Sequence, residues 1–540
     1  MTRFSIPRSL PALNSLQTPQ VINVELNDVD VDRMLTSILE LTVKRGNYAV
    51  SKTDARDYER YLRTLQESDA LRGFESPESL DVLDGWLRSS VVKMERATQR
   101  RDTAQMGYIR PITIMTYRSG LPKARGRNRL ADQLVYQTMQ LALKKEGVTN
   151  TTGALRELWL GTFGEGVELG ESPWHDPRYD GESVLDIDTL LAIRFLEVFE
   201  GSQNLRKIPN DLDPPVPLAV ENVGRDLIAF LRHYGPAMPA AEAFGQISAL
   251  LSLRLFQLPL LTAHHLRSLL TGEPTPGSPG ALEIYCDFVG RRGTSSDELA
   301  RMCVVRDLEV MRTFLADRLL VRTLGQSVDL LPQRSDLPED SAARLAALID
   351  IRDSDAMEMA LRMQIQQIRL QPDLSEEGQT FIDDINASDL RAQEQITSIL
   401  VEGLRKRGLE NQVKWFWSTG GVEKPYGLIS GFKRSRASWR YSPTDELLTT
   451  VVGMCFVEPD GKRTVPELPI RELLARMRDR FGLLVDRPPA EMDTADARAG
   501  AAENRAALTR RLQLLGCYEG LSDDFSAQYV TRPREVVSGP

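Results

Sequence analysis

Apolar residues recur at helical spacing along most of this chain. "DVDRMLTSILELTVKR" sets Met34, Leu35, Ile38, Leu39 and Leu41 on one helical face, behind aspartates that suit a helix N-terminus. "LADQLVYQTMQLALKKEG" repeats the spacing and closes on Lys144, Lys145 and Gly147, which favour a helix end. These stretches belong to a mostly helical domain over residues 1–150. Between them, "GYIRPITIMTYRSGLPKARGRNR" alternates apolar and polar positions, predicting a strand that runs into a basic loop.

A loop-rich tract, "GTFGEGVELGESPWHDPRYDGE", then leads to the helix "VLDIDTLLAIRFLEVFEG" within a second helical domain, 151–271. Its most apolar part, "ISALLSLRLFQLPLLTAHHL", contains Arg254, Gln257, Pro259 and two histidines. A buried helical hairpin is expected there rather than a membrane span. "TGEPTPGSPG" is nearly all Pro, Gly, Ser and Thr, a linker composition. After it, residues 281–333 read as a winged helix-turn-helix. Ser295 or Ser296 would cap its first helix, with Glu298 nearby as in a capping box. Leu299, Ala300 and Cys303 face inward from that helix, and Val305, Leu308, Met311, Phe314 and Leu315 from the second. "LLVRTLGQSVDLL" would be a hairpin around Gly325, the wing.

Residues 334–404 read as an acidic helical segment: Arg334 to Glu402 holds fifteen Asp/Glu against six Lys/Arg. Leu390, Ile396, Ile399, Leu400 and Leu404 give it one apolar stripe. The charge reverses over 405–443, where Arg405 to Arg440 holds nine Lys/Arg and two Glu, and three of the six tryptophans. Residues 444–540 form a last α/β unit. Its order, helix, helix, then "ENRAALTRRLQLLGCYEGLSDDFSAQYV" as helix and short strand, resembles a second, degenerate winged helix, with "EMDTADARAGAAEN" as a low-complexity insert. The fold class is therefore mainly α and multidomain, with one or two winged helix-turn-helix (α+β) modules.

Composition adds limits. With 41% hydrophobic and 26% charged residues over 540 positions, the chain is globular and long enough for three or four domains. Cys286, Cys303, Cys455 and Cys517 are far apart and form no CxxC pair, so neither a disulfide framework nor a zinc knuckle is indicated. Pro7 and Pro11 interrupt the region a signal peptide would need. A cytoplasmic protein without a membrane partner is expected. His175, Asp176 and Asp180 beside Trp174 read as a surface loop, and "GTFGEGVELG" lacks the GK[ST] of a phosphate loop. His264 and His265 read as core histidines. No catalytic residue, metal site or cofactor is expected.

The candidate chemistry is polyanion binding. Phosphates call for dense cations and unpaired bases for flat rings. In the 405–443 segment Arg405, Lys406, Arg407, Lys414, Lys433, Arg434, Arg436 and Arg440 supply the cations, and Trp415, Trp417 and Trp439 the rings. In the winged helix, Arg306 and Arg312 would face DNA from the second helix and Arg322 from the wing. Lys123, Arg125, Arg127 and Arg129 alternate, so an extended strand would present all four on one side. The opposing reading makes Trp415, Phe416 and Trp417 core residues and pairs the cations with the acidic helices upstream. Two further functions stay open: a protein–protein adaptor, and a DNA-processing enzyme whose site is assembled from distant residues.

"WRYSPTDELLTTVVG", "LPIRELLARMRDRFGLLV" and "NRAALTRRLQLLGCYEGLSDDFSAQYV" together resemble the C-terminal part of uncharacterised, non-enzymatic components of bacterial multigene anti-phage defence systems of the methylation-associated type. The resemblance covers about the last hundred residues and rests on structural motifs. It implies a partner of methyltransferase, ATPase or kinase subunits in a complex that handles foreign DNA, and it transfers no active-site residue.

Overall fold

Helices dominate the chain, as its apolar periodicity requires. The computed structural model describes residues 4–50, 58–67, 73, 76–95, 105–118, 128–199, 204–209, 211–274, 277–331, 337–518 and 528–533. The helices that frame the site are α1 (Val31–Val43), α2 (Ala131–Lys145), α3 (Pro217–His233), α4 (Ala240–Thr271), α5 (Ser295–Ser327), α6 (Asp355–Arg369), α7 (Ala392–Thr419), α8 (Asp445–Cys455), α9 (Ile470–Phe481) and α10 (Ala495–Leu514). Short strands accompany them: β1 (Val92–Glu95), β2 (Gln105–Ile109), β3 (Ile284–Tyr285), β4 (Ile429–Phe432), β5 (Ser435–Tyr441), β6 (Glu467–Pro469), β7 (Leu483–Leu484) and β8 (Tyr529–Thr531). The pairs β1–β2, β4–β5 and β6–β8 are antiparallel, and β3–β7 is parallel.

The spine is α5, which packs against α4, α7, α10 and β5. It overturns the winged helix expected at 281–333: Ser295–Ser327 is one continuous helix, with no turn near Val304 and no wing. The physical reason is local. Val304 is β-branched and resists the left-handed conformation a turn would use, and no proline or glycine interrupts the helix before Gly325. Cys303 and Val304, at the supposed turn, are buried. The cap is Thr294, whose Oγ1 accepts from the Asp297 amide at 3.2 Å, rather than either serine.

The same continuity corrects two other expectations. Helix α4 is not a hairpin; it runs 32 residues with Pro259 inside it. It is the one helix among the described residues long and apolar enough to cross a membrane, yet 83% of its apolar window is buried within the protein. Helix α7 runs through the charge reversal at 404–405, so the acidic stripe and the start of the basic segment share one rod. Two glycines fit that rod to its neighbours. A methyl on Gly408 would lie 2.9 Å from both Leu315 methyls, and one on Gly403 2.6 Å from Ile6 Cδ1. At the C-terminal end, most of the expected low-complexity insert is the first turns of α10, capped by Thr494, which accepts from the Ala497 amide at 3.2 Å. The strand expected around residue 107 is β2, but Ile114–Arg118 is a 3-10 turn, and 119–127 lies outside the described residues.

Two apolar clusters form the interior. One extends from Val21 to Val530 and contains α1–α4, α8–α10 and the N-terminal half of α5. The other joins Phe4, Ile6 and Leu13 to α6, α7 and the C-terminal half of α5. The C-terminal unit is stitched to the middle of the chain by β7 on β3. Asn504 adds to this: its amide donates to the carbonyls of Cys286 (2.8 Å) and Val485 (3.1 Å), and its oxygen accepts from the Phe288 amide (2.6 Å). A buried ion cluster ties α3, α4 and α9. Arg254 Nε donates to Asp226 Oδ2 at 2.7 Å, and Arg480 Nη2 to Asp226 Oδ1 at 2.6 Å. Burial alone would raise the Asp226 pKa; the two guanidinium charges outweigh it and hold the carboxyl down to about 2.

Candidate functional site

The basic and aromatic segment becomes the C-terminal turns of α7, a tight turn over residues 420–428, and the β4–β5 hairpin. Gly431 bulges this hairpin at φ 140°, where a methyl would lie 2.7 Å from the Ser438 carbonyl oxygen. Along β5 the residues pass from exposed at Ser435, Arg436 and Ala437 to buried at Trp439 and Tyr441. The hairpin therefore has a wet tip and a dry base.

At the base, both outer tryptophans are sealed, which corrects their expected stacking role. Trp415 is fully buried and donates its indole N–H to the Leu255 carbonyl at 3.0 Å. Trp439 lies parallel to Phe416, centroids 6.2 Å apart, and donates to the Phe432 carbonyl at 2.9 Å. A ring packed on both faces offers none to a base. Tyr441 donates its hydroxyl to Asp307 Oδ2 at 2.6 Å, and Arg306 Nε donates to Asp307 Oδ1 at 2.7 Å. Burial pushes the Asp307 pKa up despite that guanidinium. Arg440 is only 12% exposed and lies 3.4 Å from Asp297 and 3.8 Å from Asp287.

Most of the remaining candidates are also occupied. Arg306 is paired with Glu491 and donates to the Leu282 carbonyl, inside the protein rather than on a recognition face. Arg322 is buried and donates to the carbonyls of Ser15 and Leu13; burial lowers its pKa to about 10. Arg129 is bridged to Glu25 (3.1 Å) and Asp28 (2.8 Å), while Lys123, Arg125 and Arg127 lie outside the described residues. Arg312 is exposed but paired with Glu309, and Arg405 lies 3.7 Å from Glu402. Arg407 donates to Asn14, and Lys414 reaches Asn411 at 3.5 Å. Lys406 is exposed.

The tip differs. Phe432 is 61% exposed, and Arg434 and Arg436 stand in solvent beside it. Arg434 and Arg436 meet no carboxylate among the described residues. Lys433 places its ammonium 3.7 Å from the centroid of the half-buried Trp417, and burial there lowers its pKa. Arg407 and Trp417 are ten residues apart on α7, about 15 Å along its axis, so 405–407 is a patch separate from the tip.

Beneath the tip is a cleft of about 1020 Å³, which the sequence reading missed. Its lining includes Trp417, Phe432 and Lys433 together with Asp28, Asp30 and Asp32. Lys424 lies 2.6 Å from Asp32 and 3.6 Å from Asp30. Burial raises the Asp32 pKa, although Lys424 and the Tyr426 hydroxyl oppose it. Those aspartates alternate in "NDVDVD", a pattern that reads equally well as a helix N-terminus, which is why the cleft was not legible. Elsewhere, Asp176 of the 171–182 loop is engaged by Lys44 at 3.2 Å and Arg118 at 3.7 Å, a structural role. All four cysteines are free and buried. His264 and His265 are half-buried on α4, and His265 Nδ1 has no hydrogen-bond partner among the described residues, so His265 is not the satisfied core residue expected.

The sequence matches the family described as "Methylation-associated defense system protein MAD7" over residues 12–534. Comparison with curated proteins and with solved structures gives no match.

Proposed function

The chain belongs to the MAD7 family of methylation-associated defense system proteins, and from that premise we propose that it is a non-catalytic, nucleic-acid-binding subunit of an anti-phage complex. Membership in a multigene system brings other protein subunits as partners. The observation that carries the nucleic-acid reading is the hairpin tip. In a protein of formal charge -9 whose arginines are largely answered by carboxylates or carbonyls, Arg434 and Arg436 are left in solvent beside exposed Phe432. Cations bind phosphate, and the phenyl ring offers a face to an unpaired base. The complex works in the cytoplasm on this reading.

The C-terminal unit supports the same role. Its order is α8, β6, α9, β7, α10 and β8, with β6 paired to β8, β7 paired outside the unit to β3, and Tyr518 bridged to Val530. The three helices with the β6–β8 pair resemble a degenerate winged helix, and we read the described part of 444–540 as one, with Arg510 exposed on its third helix. A gel-shift comparison of single-stranded and duplex DNA tests the proposal: both are expected to shift, and the Arg434→Glu/Arg436→Glu variant is expected to bind at least about tenfold more weakly. Absence of both shifts in the wild type would leave the adaptor reading. One observation favours that second reading: Met359, Met363 and Leu370 are exposed along one side of α6 and the residue following it, an apolar stripe suited to a protein partner.

A further inference from the structure

We infer that the cleft beneath the hairpin is a docking site for a basic side chain, arginine or lysine, carried by a segment of another protein. This goes beyond nucleic-acid binding, since the cleft repels phosphate. Five carboxylates line it, from Asp28, Asp30, Asp32, Glu423 and Glu446, against three lysines. The lysines do not cancel them. Lys424 is committed to Asp30 and Asp32, Lys433 is laid over Trp417, and Lys93, the third, makes no ion pair with a cleft carboxylate among the described residues.

One carboxylate remains unanswered, and a second is only partly answered. Glu446, at the first turn of α8, faces Gly245 of α4, where any side chain would collide with its Oε1. Among the described residues it accepts no side-chain hydrogen bond and meets no cation. Burial and the neighbouring Asp32 raise its pKa, the mark of a carboxylate held without a counter-charge. Asp30 Oδ1 is buried and accepts no hydrogen bond, with only the Lys424 ammonium near it, at 3.6 Å. A buried acceptor left open is costly unless a ligand fills it.

The protein itself shows what the cleft accepts. Its own Lys433 ammonium sits over Trp417 at 3.7 Å, while the Lys433 amide donates to Glu423 Oε1 at 3.1 Å. Glu423 takes that position at φ 63°, a strained backbone for a non-glycine residue. An aromatic floor with carboxylates around it is the chemistry that recognises a guanidinium or ammonium. An incoming cation would compete with Lys433 for Trp417 and gain Glu446.

The test is fluorescence anisotropy of a labelled hexa-arginine peptide with the full chain. Glu423→Gln/Glu446→Gln is expected to weaken binding about tenfold. The charge-matched Glu376→Gln/Glu377→Gln, in an exposed helix outside the cleft, should change it little. Lys433→Met, which removes the internal competitor, is expected to tighten it. No binding by the wild type, or equal weakening by the two double variants, would overturn the site, the latter because the peptide would then be reading net charge alone. A dodecathymidine that loses binding in Glu423→Gln/Glu446→Gln while the peptide does not would also overturn it, giving the cleft to a nucleobase. If the peptide result holds but no oligonucleotide binds the wild type, the nucleic-acid reading fails and this one stands.

Discussion

At the base of the β4–β5 hairpin Trp439, Arg440 and Tyr441 are turned into the core, whereas a few residues away Phe432, Arg434 and Arg436 stand at the tip in solvent. The two ends have the same composition, cations among aromatics. What separates them is the surface each strand end meets. The base lies on α5 and α7, where Phe416 receives Trp439 and Asp307 receives the Tyr441 hydroxyl. The tip projects past both helices, over a cleft. A cationic aromatic composition therefore does not by itself mark an interface; the neighbouring elements decide.

Four experiments break or sharpen that contrast. The largest effect belongs to the interior, where charges hold the fold. Asp226→Ala would leave Arg254 and Arg480 buried without their counter-charge, and a loss of about 3–5 kcal/mol is expected in urea unfolding. The same site carries an acid signature. Its folded pKa, about 2, lies below the ordinary value near 4. Its contribution is thus complete above about pH 4 and is lost as the pH falls towards about 2. A urea midpoint that does not fall over that window would dissociate Asp226 from the acid sensitivity.

At the hairpin base, Trp439→Phe removes the indole donor to the Phe432 carbonyl and part of the stack on Phe416. It should cost about 1–3 kcal/mol in the same assay. At the tip, Arg434→Glu/Arg436→Glu should shift stability by no more than about 0.5 kcal/mol. Its effect should fall on binding, flattening the slope of log affinity against log salt by about 1.5. A tip variant that destabilised the chain as much as Trp439→Phe would erase the distinction between base and tip.

The helical stretches were legible because their spacing is a local property: Met34 to Leu41, and the run closing on Lys145, are buried along the faces their periodicity marks. The winged helix at 281–333 was misread for a related reason. Its apolar positions fit two short helices and one long one equally; Val304 and the absence of glycine or proline before Gly325 favour the long one, and α4, α7 and α10, distant in sequence, pack against it. The tip cations, Arg434 and Arg436, were named from sequence and stand where a polyanion could reach them; Trp415, Trp439, Arg322 and Arg306 were named by the same criteria and are occupied inside the protein.

By itself, then, the sequence determined a helical chain, its family, and a short stretch where charge changes sign. Which cations were to be consumed and which left free was decided only by tertiary structure. Burial makes an unpaired charge too costly to keep, so guanidiniums drawn inside are answered by carbonyls or carboxylates, some of them hundreds of residues away, such as Leu13 for Arg322 or Asp226 for Arg480. The cleft arises in the same way: Asp30 and Glu446 lie more than four hundred residues apart, and only the packing of their helices sets them around Trp417.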